Sequence, residues 1–195
     1  TWAVLVAAHR GRGVWLAVLG ISWFFTAGAI LLTEFVPLVS DTLQAQKEVA
    51  TLFLVVFSVV IALGSMTVNR MLKGEVSARY VPVSALMLAI GLIDLWLSTR
   101  AFTPTVIDAD VRQFVSNPQS WKIFVDLVII AFSGGMFIVP LYAILQIHSA
   151  PEERSQVIAA NNILNAGMTV AAVGIVAVLL GSGVSVPGVI GVLGF

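Results

Sequence analysis

Long apolar runs, separated by short polar stretches, dominate this chain. Five of them approach or exceed the ~20 residues that a helix needs to cross the hydrocarbon core of a bilayer. Their expected limits are 14–36, 49–68, 81–97, 123–147 and 157–180. A sixth run starts at Val184 and stops at residue 195, too soon to cross. The pattern predicts an all-α polytopic transmembrane bundle, one domain over residues 1–195, with a truncated last helix.

Two prolines modify this expectation. Pro37 follows the first run, where it is expected to end the first helix without breaking it. Pro140 lies inside the fourth run and is expected to kink that helix.

Composition agrees with the hydropathy pattern. Hydrophobic residues make up 59% of the chain, charged residues 10%, and the mean hydropathy is +1.03. A soluble domain has roughly 25% charged residues, so the composition indicates an integral membrane protein. The net charge of zero gives no electrostatic argument for binding nucleic acid. The absence of cysteine excludes disulfides, thiolate metal sites and a cysteine nucleophile.

Basic residues in the short loops predict the orientation, because cytoplasmic loops carry more lysine and arginine. Six basic residues fall on one side: Arg10, Arg12, Arg70, Lys73, Arg79 and Arg154. Four fall on the other: Lys47, Arg100, Arg112 and Lys122. The segments 1–13, 69–80 and 148–156 are therefore expected in the cytoplasm, and the loop 98–122 outside. Because the chain starts at Thr1 and ends within an apolar run, we expect it to be part of a longer protein.

Three asparagines interrupt the last complete run. Asn161 and Asn165 are spaced four residues apart and should share a helix face, whereas Asn162 is turned about 100° away. Small residues flank them, so a neighbouring helix can come close. One interpretation is that the amides join helices; the other is that Asn161 and Asn165 contact a headgroup in a cavity.

Acidic residues inside membrane spans usually face a cavity or a partner. Glu34, Asp94 and Asp126 all lie toward the outer ends of their runs. They could form a polar mouth for a zwitterionic headgroup. Alternatively, Lys122 could pair with Asp126, because it lies four residues earlier on the same helix face.

Two short motifs suggest a transporter. The spans at 14–36 and 123–147 share a Phe-x-x-Gly spacing, FTAG at 25–28 and FSGG at 132–135, as an inverted three-helix repeat would place it. The loop GSMTVNRMLKGE at 64–75 has the layout of the loop between the second and third helices of each half of major facilitator transporters. An ordinary basic loop that fixes topology is the alternative.

The chain as a whole resembles the lysophospholipid transporter branch of the major facilitator superfamily. Four blocks carry the resemblance: LGISWFFTAGAIL (19–31), GSMTVNRMLKGEVSARYVPVSAL (64–86), GGMFIVPLYAILQ (134–146) and RSQVIAANNILNAG (154–167). They correspond to the C-terminal six-helix half of such a transporter. Asn69 departs from the pattern, because this loop often has an aspartate there.

The resemblance implies transport of lysophospholipid across a bacterial inner membrane by alternating access, to supply reacylation. The implied partners are a missing N-terminal transporter half, lysophospholipid, membrane lipids and, in fused members, an acyltransferase module. Two alternatives stay open. The chain could anchor or dock an acyltransferase, or it could carry another amphiphile or a drug-like substrate.

Two groups of candidate residues follow. The expected substrate contacts are Asn161, Asn165, Asp126, Asp94 and Trp23. The expected conformational latch, which would hold one access state, comprises Gly64, Asn69, Arg70 and Asn162. Packing is the alternative role for Trp23.

Catalysis has little support in the sequence. His148 and Glu153 have the spacing of the His-x4-Asp pair of glycerolipid acyltransferases, but the acid here is Glu. The pattern of Ser149 and Glu152 is instead interpreted as a helix capping box. No metal-ligand or phosphate-loop spacing occurs in the sequence. We therefore expect neither an enzyme nor a cofactor.

Overall fold

The computed structural model describes residues 12–147 and 154–194. Within these residues the chain forms seven α-helices: α1 (Arg12–Pro37), α2 (Lys47–Leu72), α3 (Val81–Ala101), α4 (Val111–Ser116), α5 (Pro118–Ile147), α6 (Arg154–Gly181) and α7 (Val186–Leu193). All except α4 and α7 are long and apolar enough to cross a membrane. The expected all-α polytopic bundle is confirmed, and the chain is an integral membrane protein by this measure.

The helices α3 and α5 extend beyond the apolar runs, and polar side chains at their ends are hydrogen-bonded to the backbone. In α3, Thr99 Oγ1 donates to the Leu95 carbonyl at 2.7 Å, and the helix continues to Ala101. Before α5, Asn117 Oδ1 accepts from the Gln119 amide at 3.0 Å, and the helix begins at Pro118.

The last two helices, α6 and α7, begin at residues that differ from the starts of the apolar runs. The start expected for α6 near Ser149 lies outside the described residues, as do His148, Glu152 and Glu153. The sixth run becomes helical at Val186, two residues after Val184.

The α-helix α1 ends at Pro37, as expected, but the helical winding does not stop there. The chain continues past Pro37 into a π-helical turn, Leu38–Thr42, with the Leu43 amide 2.9 Å from the Leu38 carbonyl. Proline removes one helical hydrogen bond. Burial of Leu38 and Val39, both 0% exposed, offsets that loss and keeps the chain wound against the core. The helix α5 also runs through Pro140; the kink there stays a prediction.

Contacts between side chains give the directions of the helices. Phe53 of α2 packs on Phe124 of α5, while Gly64 lies beside Phe132 further along both helices, so α2 and α5 run parallel. The helices α1 and α6 are also parallel, because Ser22 contacts Asn165 and Thr26 contacts Thr169. In contrast, α5 is antiparallel to α1 and α3, and α7 is antiparallel to α3.

These pairings have an internal regularity. If α1 is matched with α5, α2 with α6 and α3 with α7, the contact between α1 and α6 corresponds to the contact between α5 and α2. Under the same matching, the α1–α5 contact and the α3–α7 contact each correspond to themselves. The α3–α5 contact corresponds to the smaller contact between α1 and α7. Two three-helix units in opposite orientation would be paired in this way.

The tightest crossing lies between α2 and α5. A Cβ added to Gly64 would overlap the carbonyl oxygen of Phe132, and one added to Gly135 would overlap the carbonyl oxygen of Ile61 and lie 2.7 Å from the Ser65 amide nitrogen. The two backbones therefore touch, as the small residues of membrane helix interfaces permit. We call this crossing the glycine seam.

At the end of the bundle expected to lie outside, two connections join. The Gln46 amide donates to the Ala109 carbonyl at 3.0 Å, and the Ala109 amide donates to the Gln44 carbonyl at 3.3 Å. The helix α4 begins there with a capping box between Asp110 and Gln113. Packed phenylalanine rings fill the core beneath: Phe35, Phe53, Phe114 and Phe124.

Candidate functional site

An apolar cavity of about 280 Å³ lies between α1, α2, α3 and α5, and we call it the aromatic pocket. It is lined by Trp23, Phe24, Phe25, Ala27, Gly28, Ala29, Leu31, Leu32, Phe57, Ile61, Leu88, Leu92 and Ile130. These residues come from the middle parts of their helices, so the pocket lies about halfway along the bundle. Substrate sites of membrane transporters are typically found at this depth.

Trp23 both lines the aromatic pocket and packs on a neighbouring helix, and its contact with substrate stays a prediction. Its ring packs edge-to-face on Phe137 of α5 with ring centroids 6.1 Å apart. Packing fixes the orientation of the indole. Trp23 is thus a rigid part of the pocket wall.

Four polar side chains of α3 and α5 form what we call the acid cluster: Asp94, Ser98, Lys122 and Asp126. Lys122 Nζ lies 3.1 Å from Asp94 Oδ1, and Ser98 Oγ lies 2.6 Å from Asp126 Oδ2. Asp126 is 1% exposed, and its Oδ1 has no hydrogen-bond partner among the described residues. Along α5, Asp126 precedes Ile130 of the aromatic pocket by four residues, about 6 Å.

The expected pairing of Lys122 with Asp126 is wrong. Lys122 reaches across to Asp94 on α3, and both side chains keep contact with the surroundings, at 55% and 42% exposure. Pairing with Asp126 would require enclosing the ammonium group between helices, where its desolvation is costly. The structure therefore brings Asp94, Lys122 and Asp126 together, but Lys122 pairs with Asp94, and Asp126 accepts a hydrogen bond from Ser98.

Polar side chains also line the contact between α1 and α6, which we call the polar seam. Ser22 Oγ donates to Asn165 Oδ1 at 2.6 Å, and the hydroxyls of Thr26 and Thr169 lie 3.4 Å apart. One turn before Asn165, Asn161 is 1% exposed, and neither polar atom of its amide has a partner among the described residues.

The predicted division among the three asparagines is confirmed at the level of helix faces. Asn161 and Asn165 are both buried on the side of α6 that packs on α1, whereas Asn162 is exposed. Contact of Asn161 or Asn165 with a headgroup stays a prediction.

The expected latch residues lie in two separate places. Gly64 is buried in the glycine seam, where it permits the close helix contact expected of it. Asn69 and Arg70 are exposed at the end of α2. Asn162 is exposed on α6, which packs chiefly on α1. The structure thus brings Asn162 into no described contact with Asn69 or Arg70, and the latch stays a prediction.

Glu34 is on α1, and no hydrogen bond or ion pair among the described residues joins it to Asp94, Ser98, Lys122 or Asp126. It is 7% exposed, and its Oε2 has no partner among the described residues. The structure therefore does not show a single mouth shared by Glu34, Asp94 and Asp126.

Several residues of the site were not found by sequence reasoning. Ser22, Thr26 and Ser98 are single hydroxyls in apolar runs, and only the spacing of Ser22 and Thr26, four apart like Asn161 and Asn165, was a signal. Gly28 and Phe57 have no signal in the sequence that marks them as pocket residues.

Comparison with known proteins adds no relative to this geometry. No family model, no curated protein and no solved structure matches the chain.

Proposed function

We propose that this chain is the C-terminal half of a major facilitator transporter that moves lysophospholipid across the bacterial inner membrane. The observation that carries the proposal is the aromatic pocket at mid-depth with the acid cluster one helical turn away. An apolar pocket beside charged groups matches an amphiphile that has one hydrocarbon chain and one charged headgroup. The zwitterionic headgroup of a lysophospholipid suits a cluster that contains both signs of charge.

The pairing of the helices supports the transporter mechanism. Inverted three-helix units form each six-helix half of a major facilitator protein, and the correspondence of the α1–α6 contact with the α5–α2 contact is the pattern that they give. Alternating access then requires a second six-helix half, which completes the cavity. The N-terminal half, membrane lipids and a fused acyltransferase module are the partners that this proposal includes.

In this proposal Asp126 contacts the headgroup in a state other than the present one. Its Oδ1, which accepts no hydrogen bond from the described residues, is an acceptor suited to an ammonium donor, but Asp126 is 1% exposed. A headgroup can reach it only when α3 and α5 move relative to each other or to a neighbour. Asn161 and Asn165 serve as neutral headgroup contacts when the polar seam opens.

Flipping of a fluorescent lysophosphatidylethanolamine into proteoliposomes tests the function. The joined halves should flip it, whereas the 195-residue chain alone should not, because it supplies one wall of the cavity. Equal flipping by the chain alone would contradict the half-transporter proposal. Absence of flipping by the joined halves, together with copurification of an acyltransferase, would favour the docking alternative.

A matched pair of variants tests the role of Asp126. The substitution Asp126→Asn keeps the shape of the side chain and an acceptor for Ser98, but removes the charge. A hydrogen bond to a charged group contributes about 1.5–3 kcal/mol, so flipping should fall about tenfold or more at equal folded yield. Asp41→Asn, at an exposed acid, should leave flipping unchanged. Equal flipping by both variants would remove Asp126 from the site.

A further inference from the structure

Among the described residues, no contact of Gly28 explains a glycine inside a membrane-spanning helix. At Gly64 and Gly135, a Cβ would overlap backbone atoms of the facing helix. At Gly28, a Cβ would meet no atom within 4 Å, and the backbone has no positive φ that would favour glycine. Glycine is unfavourable in a helix interior. Its one visible effect is to leave space, because Gly28 lines the aromatic pocket.

The size and lining of the pocket define what it can hold. An apolar cavity of ~150 Å³ accepts a molecule of the size of benzene, so about 280 Å³ accepts a longer apolar segment. Apart from the indole N–H of Trp23, the lining side chains are all apolar. They offer a headgroup no hydrogen bonds, whereas the acid cluster one turn away offers both charges.

We propose that the aromatic pocket binds the hydrocarbon chain of a single-chain amphiphile, and that Gly28 sets the length of chain that it takes. A leucine at this position would project into the space and shorten the pocket. The identification of the amphiphile as a lysophospholipid rests on the proposed function. The binding of the chain rests on the pocket itself.

Quenching of Trp23 fluorescence tests the proposal directly. The full chain, with Trp2, Trp15, Trp96 and Trp121 replaced by phenylalanine, retains Trp23 as its single tryptophan. In nanodiscs, lysophosphatidylethanolamine brominated on its chain should quench this fluorescence saturably. The unbrominated lipid should reverse the quenching by competition.

Two glycine variants form the matched comparison. Gly28→Leu should weaken binding about tenfold or more, since one extra methylene in an apolar pocket costs ~10- to 200-fold. A lysolipid with a shorter chain should bind this variant as it binds the parent. Gly174→Leu makes the same change on α6 at an exposed position where a Cβ also meets nothing within 4 Å. It should leave binding unchanged.

Three results would overturn the proposal. One is unchanged binding in Gly28→Leu, and another is equal loss in Gly174→Leu. The third is equal quenching by a brominated two-chain phospholipid at the same mole fraction, which would show a groove filled by bulk lipid. If the tryptophan replacements unfold the chain, a lysolipid with a diazirine at its chain end decides the question in the unmodified chain. Crosslinks should then map to residues 23–32, and crosslinks spread over the exposed helix faces would contradict the pocket.

This test separates the pocket from the proposed function, because quenching measures binding and needs no flipping. Quenching that depends on Gly28, together with joined halves that do not flip lipid, would keep the pocket and reject transport. Flipping that survives Gly28→Leu, with unchanged quenching, would keep transport and reject the pocket.

Discussion

The α2–α5 and α1–α6 pairs occupy corresponding places in the bundle, yet different contacts hold them together. In the glycine seam, Gly64 and Gly135 let two backbones touch. In the polar seam, one hydrogen bond of 2.6 Å and one hydroxyl contact of 3.4 Å join the helices, and the buried amide of Asn161 has no partner in the described part of the chain. The first arrangement leaves no room for adjustment. The second leaves polar groups that water or a substrate can satisfy.

Burial shows the same contrast. Of the apolar stretch of α2, 22% of the residues are buried, whereas 11% are buried in the corresponding stretch of α6. The helix α6 is therefore attached to the bundle mainly through the polar seam with α1. We infer that the glycine seam forms the fixed part of the structure and that α6 is the part able to move. This inference leads to three predictions about stability and one about motion.

The largest effect should come from adding a methyl group to the glycine seam. Gly64→Ala places a Cβ against the Phe132 carbonyl, and backbone atoms cannot move aside as a side chain can. Overpacking of this kind should lower the free energy of unfolding by about 2–3 kcal/mol. Gly174→Ala is the control, because its Cβ meets nothing within 4 Å, and it should raise stability by up to about 1 kcal/mol. Unfolding of both variants in SDS, monitored by circular dichroism, measures the two changes in stability. Equal unfolding midpoints would contradict the difference expected between Gly64 and Gly174.

A smaller effect of opposite sign is expected in the polar seam. Asn161→Leu removes a buried amide for which the described residues offer no partner, and each such unsatisfied group costs about 1–3 kcal/mol. The free energy of unfolding of this variant should therefore rise by about 1 kcal/mol or more. The variant should also flip less lipid if the amide serves transport. Asn162→Leu, at the exposed neighbouring position, should change stability by less than about 0.5 kcal/mol. A loss of stability in Asn161→Leu would mean that the amide joins helices after all.

The smallest effect concerns the hydrogen bond that crosses the polar seam. A double-mutant cycle of Ser22→Ala and Asn165→Ala should give a coupling energy of about 0.6 kcal/mol and no more than about 1.7, the range of such bonds in membranes. The cycle for Thr26→Val and Thr169→Val should give less, because those hydroxyls lie 3.4 Å apart. A coupling energy above about 2 kcal/mol between Ser22 and Asn165 would indicate that the polar seam is as rigid as the glycine seam, contrary to this account.

Hydropathy alone predicted the fold class and the five spans, because a bilayer accepts only long apolar helices whose backbone groups are paired internally. The ends of the spans were harder. At Pro37, the loss of one hydrogen bond competes with burial of Leu38 and Val39, and burial depends on helices distant in the sequence. The spacing of the asparagines predicted which of them share a face, since both lie on one regular helix.

The site itself was predicted less completely, because its contacts cross between helices. Spacing along α5 favoured a Lys122–Asp126 pair, but the lysine side chain is long enough to reach Asp94 on α3. The aromatic pocket combines residues from four helices, and no local pattern marks that combination. The two glycines matched by spacing, Gly28 and Gly135, proved to be different: one lies at open space and the other touches a backbone.

The most direct test of the central claim measures distances across both seams by electron spin resonance. Because the chain has no cysteine, label pairs can be placed at Leu16 and Ile163 across the polar seam, and at Val59 and Val128 across the glycine seam. All four side chains are exposed, so the labels should not disturb packing. We expect a broad or two-peaked distance distribution between α1 and α6 that lysophospholipid shifts, and one narrow peak between α2 and α5. Equally narrow distributions for both pairs, or a broader one across the glycine seam, would contradict the account.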